Sequence, residues 1–298
     1  MKILASLMLE WTLLIVGIVT VAAQDKSAGP APPPKVLSIS REFLKPGKGG
    51  SPHEDAESAL AQAFARAKWP THYWALTSIS GKPRSIFITG YDSFEAWEED
   101  VNAVAKNSAL SSALDRGAIV DGDLLSDTDA TALTYSEEYS LRPSVEIAHV
   151  RYFEISLFRV RPGHRKDWDD LVKMVIAAYQ KIPDVHWATY QAVFGMEGDT
   201  YIVFKPLKSA AEIDHDFMLD KQFIGAMGEH GMKELAELEA ASIESRQTDL
   251  FAFNPRMSYV PDEWVKADPD FWAPKKFGKP KKRPGREGGP PAEQPPPE

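Results

Sequence analysis

The sequence predicts an α+β fold: two tandem βαββαβ units whose sheets pack together as one pseudo-dimeric barrel. Three observations predict it. Short blocks recur in unbroken order at a nearly constant offset. The same succession of alternating strands and amphipathic helices runs through both halves. Each unit taken alone would leave one sheet face bare, and a second copy is the natural cover. Lys45-Pro46-Gly47-Lys48 returns as Arg161-Pro162-Gly163-His164, and Ile86-Phe87-Ile88 as Ile202-Val203-Phe204, both at an offset of 116. Trp74-Ala75 matches Trp187-Ala188 at 113, while Ser140 and Pro143 match Ser258 and Pro261 at 118.

The elements follow in order. Residues 36–44 and 152–160 alternate and are rich in β-branched or aromatic side chains, so each unit opens with a strand. A Pro-Gly turn ends both. Residues 53–68 carry Ala56, Leu60, Ala63, Phe64 and Ala67 on one helical face, and residues 165–181 carry Trp168, Leu171, Val175 and Ala178. Strands are expected again at 72–79 and 185–194, then at 85–89 and 200–205 after Gly-containing turns. Long helical regions at 93–116 and 209–245 follow, and strands near 131–139 and 248–256 close the units. This is the split βαβ, or ferredoxin-like, order. The first unit is placed at 36–143 and the second, with an aromatic extension, at 150–274.

Outside the units the composition changes. Residues 1–23 read as an export signal: Lys2 leads, an apolar run starts at Trp11, and Val21-Ala22-Ala23 offers small residues before Gln24. An uncleaved membrane anchor is the alternative, since Ile3–Ala23 is nearly long enough to span. Either way the folded part is expected to be exported, to the periplasm or beyond. Residues 24–35, with Pro30, Pro32, Pro33 and Pro34, read as a solvated linker. Residues 275–298 read as a disordered basic and Pro-rich tail. Trp264, Phe271 and Trp272 are too many aromatics for a free tail and should fold back onto the second unit.

Charge and composition exclude several classes. The chain carries −9 overall, the tail contributes +4 and residues 1–34 balance, which leaves −13 on the folded middle. A surface so acidic does not track a phosphate backbone, so nucleic acid is not an expected partner. The absence of cysteine rules out disulfides, thiol nucleophiles, cysteine-held metals and covalent c-type haem. The basic tail offers at most a weak contact with the cell envelope. Monomer and homodimer both stay open.

The segment Glu154-Ile-Ser-Leu-Phe-Arg-Val-Arg-Pro-Gly-His164, its following amphipathic helix, and Tyr201-Ile-Val-Phe-Lys-Pro with Ser209 resemble the dimeric α+β barrel superfamily. The likeness is greatest to its NIPSNAP-like and antibiotic-biosynthesis-monooxygenase-like branches and covers residues 36–140 and 150–258. It implies the fold strongly and chemistry weakly, because that superfamily spans cofactor-free oxygenases, isomerases, haem enzymes and proteins of unknown role.

The barrel lumen is the expected place for a ligand. If the more apolar strand faces meet the helices, Ser38, Ser40 and Glu42 of one unit and Glu154 and Ser156 of the other face the lumen. Glu154, His186 and Tyr190 then become candidate catalytic residues, a carboxylate and imidazole to move a proton and a phenol to orient a substrate. Tyr73, matched to His186, and Ser156 are candidate ligand contacts. A buried polar trio satisfied by hydrogen bonds is the competing reading. Glu212, Asp214, His215 and Asp216 read as a solvated helix face, and no metal or other cofactor is expected. A haem ligand among His72, His164 and His230 stays open. Two functions are in play: a non-catalytic envelope protein binding a small or apolar ligand or a partner, and a cofactor-independent monooxygenase-like enzyme.

Overall fold

The computed structural model describes residues 30–273, so the expected signal, the first half of the linker and the basic tail lie outside the described residues. The first unit contains β1 (Val36–Leu44), α1 (Ser51–Ala67), β2 (Tyr73–Ser78), β3 (Arg84–Tyr91), α2 (Phe94–Lys106), α3 (Ser108–Gly122) and β4 (Leu125–Leu141). The second contains β5 (Tyr152–Val160), α4 (Arg165–Tyr179), β6 (Trp187–Phe194), β7 (Asp199–Leu207), α5 (Ala211–Ser242) and β8 (Ile243–Phe253), followed by short α6 (Asp262–Ala267) and α7 (Pro269–Trp272). No helix among the described residues is long and apolar enough to cross a membrane.

The helical stretch expected at 93–116 is two helices for a local reason. Ser93 Oγ accepts from the amide of Ala96, and Asn107 Oδ1 accepts from that of Leu110, so each side chain caps a fresh helix start. In α5 the break falls at Gly228, whose φ of 68° is open to a residue without Cβ.

All eight strands close into one antiparallel barrel in the order β1-β3-β2-β8-β5-β7-β6-β4. Each unit contributes four neighbouring strands. The ring is completed by β2 on β8 and β6 on β4, the same edge relation taken in each direction. Registers repeat as well. Ile39 faces Ile88 in the first unit and Ile155 faces Phe204 in the second, both 116 residues on. Ile39 also faces Thr131, and Ile155 faces Asp249, where the step is 118.

One expected match is off by a residue. Trp74 lies opposite Ile88, and the residue opposite Phe204 is Ala188, so Trp74 corresponds to Ala188 and Tyr73 to Trp187. In a strand a one-residue slip reverses the facing of every side chain. Trp74 accordingly packs into the lumen core, while Trp187 packs under the helices with Ile182, Val185 and Leu219.

The assignment of strand faces must also be reversed. Leu37, Ile39, Ile86, Ile88, Leu133, Ile202, Phe204 and Phe251 form the central core inside the ring. Closure explains it: the lumen is walled by strands on all sides, so it takes the most apolar face, whereas the helix layers cover only one side of each half-sheet. The faces bearing Ser38, Ser40, Glu42, Glu154 and Ser156 meet the helices. The lumen is filled through its middle. A space of only about 70 Å³ remains, reached by Ile39, Ile155, Arg84 and Asp249.

The aromatic extension closes one mouth of the barrel and touches both units. Trp264 packs at a tilt on Trp74 with ring centres 5.7 Å apart, Trp272 meets Phe253 edge to face at 5.3 Å, and the Trp272 indole donates to the carbonyl of Ala148. The end of the expected solvated linker is likewise seated there, since the Tyr190 hydroxyl donates to Pro34 O at 3.0 Å.

Candidate functional site

The space between sheet and helices differs sharply in the two units. Over the second unit, β5, β6 and β7 form a floor and α4 and α5 a roof around a cavity of about 500 Å³. Phe158, Trp168, Val172, Tyr179, Trp187 and Phe223 give it apolar walls, and Glu154, Asp216, Asp220 and Glu239, against Lys205 and Arg246, bring charge to it. Lys205 on β7 is held by Asp216 on α5, so one ion pair ties floor to roof. Arg246 lies 5.2 Å over the Phe158 ring. The indole N–H of Trp168 is buried with no acceptor among the described residues. Burial and the nearby Asp220, Asp216 and Glu154 raise the Tyr179 phenol above its usual range, so it stays a neutral donor.

Trp168 is also a structural anchor. It is 2% exposed, stacks on Tyr201 at 5.1 Å and meets Phe158 at 5.3 Å. Trp168→Ala should cost about 3–5 kcal/mol in urea unfolding. His186→Ala should stay within about 1 kcal/mol. Equal losses in the two variants would mean that the cavity wall carries no packing load.

The expected catalytic trio does not assemble. Glu154 is on the helix side of β5 in this cavity, while Tyr190 is in the lumen core. His186 precedes β6, where its Nδ1 meets the Arg142 carbonyl at 2.8 Å. Alternation explains Glu154 and Tyr190, which stand on opposite sheet faces. Burial raises the Tyr190 phenol above its ordinary range. Of the candidate ligand contacts, Ser156 is on the cavity floor, bonded to Thr248 at 2.7 Å. Tyr73 sits in the other unit, among Phe64, Phe87 and Tyr259. Of the residues read as a solvated helix face, Asp214 and His215 are exposed, whereas Asp216 lines the cavity and is held by Lys205.

The histidines considered for haem do not reach the cavity. His164 is paired with Asp167 at the start of α4, His230 is on an exposed part of α5, and His72 stacks on Tyr259 in the first unit. No described histidine lines the cavity wall. The chain's own residues therefore do not fit a histidine-ligated haem there.

The first unit holds a feature that the sequence reading passed over. Glu42 on β1, His53 and Glu57 one turn apart on α1, and Asp121 on α3 meet beneath the helices. His53 Nδ1 is 2.8 Å from Asp121, and its Nε2 is 3.1 Å from Ser85 Oγ and 3.6 Å from Glu42. Glu42 Oε2 and Glu57 Oε1 are buried and have no hydrogen-bond partner among the described residues. Burial, with Asp121 adding to it, lifts the Glu42 carboxyl to about 7, and burial with Glu42 and Asp121 lifts Glu57 to about 9. The signal was present as a His-x-x-x-Glu spacing on a helix, with Glu42 on the Ser/Glu face of the first strand. Sending that face to the lumen separated Glu42 from the other two.

A second large space, about 450 Å³, lies at the barrel mouth against Trp74, Ile147 and Trp264. Its outer wall is Pro30–Pro34, which continues into residues outside those described.

No family model and no curated protein matches the chain. Solved structures do. A proposed monooxygenase of Fusobacterium nucleatum subsp. nucleatum superposes with a TM-score of 0.49 at 12% identity, over 74% of this chain and 93% of the other. An anthrone oxidase-like protein gives 0.49 at 14%, over 74% and 92%. A chlorite dismutase from Candidatus Nitrospira defluvii gives 0.43 at 9%, over 78% and 95%. Likeness at this level concerns fold and carries no activity across. Strand order, ring closure and helix placement together make the chain an α+β barrel of the dimeric type, with all eight staves on one polypeptide.

Proposed function

We propose that the protein is an exported binding protein that takes an apolar, aromatic-sized small molecule between the sheet and helices of its second unit. The cavity beneath α4 and α5 carries this reading: its volume of about 500 Å³ is that of a small-molecule site, with mostly apolar walls and a few polar groups to orient the guest. Lys205 is already paired with Asp216, so Arg246 and the unmatched Trp168 N–H are the donors left to orient a carbonyl or anionic oxygen on the guest. Export rests on residues 1–23. Descent from a duplicated unit is part of the same reading, supported by the registers that recur at 116 and 118. Monooxygenase-like catalysis is the alternative. It would use the same cavity rather than the filled lumen, with Glu154 as the base.

The test is binding of 1-anilinonaphthalene-8-sulfonate, an anionic aromatic probe, to the purified protein and to Val203→Trp. Val203 is on the cavity floor, so an indole there occupies the space. The variant should bind the probe at least about tenfold more weakly while melting no lower than the parent, because filling a void adds contacts. Unchanged affinity would reject the cavity as the site. Intact mass of the same protein taken from an envelope fraction should begin at Gln24; a retained Met1 would reject cleavage.

A further inference from the structure

We infer that Glu42, Glu57 and His53 Nε2 form a site for one divalent first-row transition ion, with Asp121 behind the imidazole. The site lies in the first unit, on the opposite side of the molecule's sequence repeat from the proposed ligand cavity, and does not depend on that cavity's role.

The geometry carries the inference. One ligand atom from each of the four residues lies within 4.8 Å of all the others. Bonds of about 2.0–2.2 Å from an ion to oxygen or nitrogen place opposed donors up to about 4.4 Å apart, so a contraction of a few tenths of an ångström closes the shell. Glu57 is 3% exposed, and its buried Oε1 has no hydrogen-bond partner among the described residues. Glu42 Oε2 is in the same condition from the sheet side. Buried polar atoms are normally satisfied, and a cation between these two carboxylate oxygens and the imidazole would satisfy both at once.

His53 is already set for the task. Its Nδ1 is engaged by Asp121 at 2.8 Å, which fixes the ring and leaves Nε2 toward Glu42 and Ser85. Ligating histidines characteristically use their second nitrogen in this way. Two carboxylates match the charge of a divalent ion, so the filled site adds no net charge to the interior. Three donors, one of them nitrogen, are too few and too soft for calcium, and no thiolate or thioether is present to select copper(I). The divalent ions from Mn²⁺ to Zn²⁺ remain. The second unit shows the contrast: Phe158 stands where Glu42 would repeat at an offset of 116, and α4 presents Trp168 and Val172 at the same i, i+4 spacing as His53 and Glu57 on α1. One unit keeps an apolar hollow, the other a polar knot. Because the ligands come from β1 and α1, with Asp121 on α3, the ion would clamp the helix layer to the sheet.

The test uses the full chain stripped with EDTA and dialysed, then titrated calorimetrically with Mn²⁺, Co²⁺ and Zn²⁺ in turn. At least one ion should bind at one per chain and, at about a hundredfold excess over its Kd, raise Tm by roughly 5–10 °C. Glu57→Gln and Glu42→Gln, which keep side-chain shape, should each weaken that binding about 100-fold and lose the Tm rise. If Glu57→Gln does not fold, Glu42→Gln, at the more accessible edge of the cluster, decides alone. Two results overturn the inference: none of the three ions binds at one per chain, or a folded Gln variant binds with the parent's affinity, which would place the ion on surface carboxylates.

Discussion

Residues 36–143 and 150–274 expressed apart should each aggregate or form homodimers, and neither should give a soluble monomer with a cooperative melt. The reason is the way the ring closes. Separating the units strips partners from β2 and β4 on one side and from β6 and β8 on the other, leaving four open edges. It also opens the lumen, exposing Leu37, Ile39, Leu76, Ile86, Ile88 and Leu133 in the first unit. A continuous apolar face of that kind is larger than soluble monomers ordinarily tolerate. Light scattering on the eluted fragments measures the state directly, and mixing the two halves should recover the parent's melt. A half that stays monomeric and melts cooperatively would show that the lumen core is not what holds the units together.

The ion-free protein should lose stability as pH rises, against the usual trend for an acidic chain. Glu42 and Glu57 have folded-state pKa values raised to about 7 and about 9 from 4.5, so the folded state binds their protons more tightly than the unfolded state does. Their protonated form therefore favours folding below about 4.5. That advantage falls as pH climbs through 7, and falls further toward 9. The groups facing them are Asp121, His53 and Tyr73, and the first of these adds repulsion. Between pH 5 and pH 8 the loss should be several kcal/mol, about 6 when both carboxyls contribute in full, measured as urea midpoints in EDTA. Glu57→Gln mimics the protonated side chain, so it should flatten this slope and be the more stable protein at pH 8. A parent that gains stability over that range would show that these carboxyls ionise without cost.

Much of the fold was legible because strands and turns write short-range signals. The recurrence of Pro-Gly after Phe43 and Arg159, and of Ile86-Phe87-Ile88 as Ile202-Val203-Phe204, gave the register to the residue. The slip at Trp74 arose where identity of side chain was trusted over position: two tryptophans near each other in the repeat looked equivalent, yet one fills the lumen and the other lies under a helix. The sites were less legible for a different reason. Both depend on which strand face looks inward, and that is decided by ring closure, a property of all eight strands at once. With the faces reversed, Glu154 and Tyr190 parted company, and Glu42 moved within reach of His53. Nothing in the local pattern of β1 or β5 distinguishes an open sheet from a closed one.

The meeting of both ends of the described residues, 30 and 273, at one barrel mouth has a consequence for how such a protein can be rewired. Pro34 and the Trp264–Trp272 segment sit against the same opening, so a short bridge across it would join the last unit to the first. Cutting the connection between β4 and β5 would then yield a circular permutant in which every stave keeps its neighbours. Sequence order and spatial order are thus separable here: the ring records who stands beside whom, and is indifferent to where the polypeptide starts.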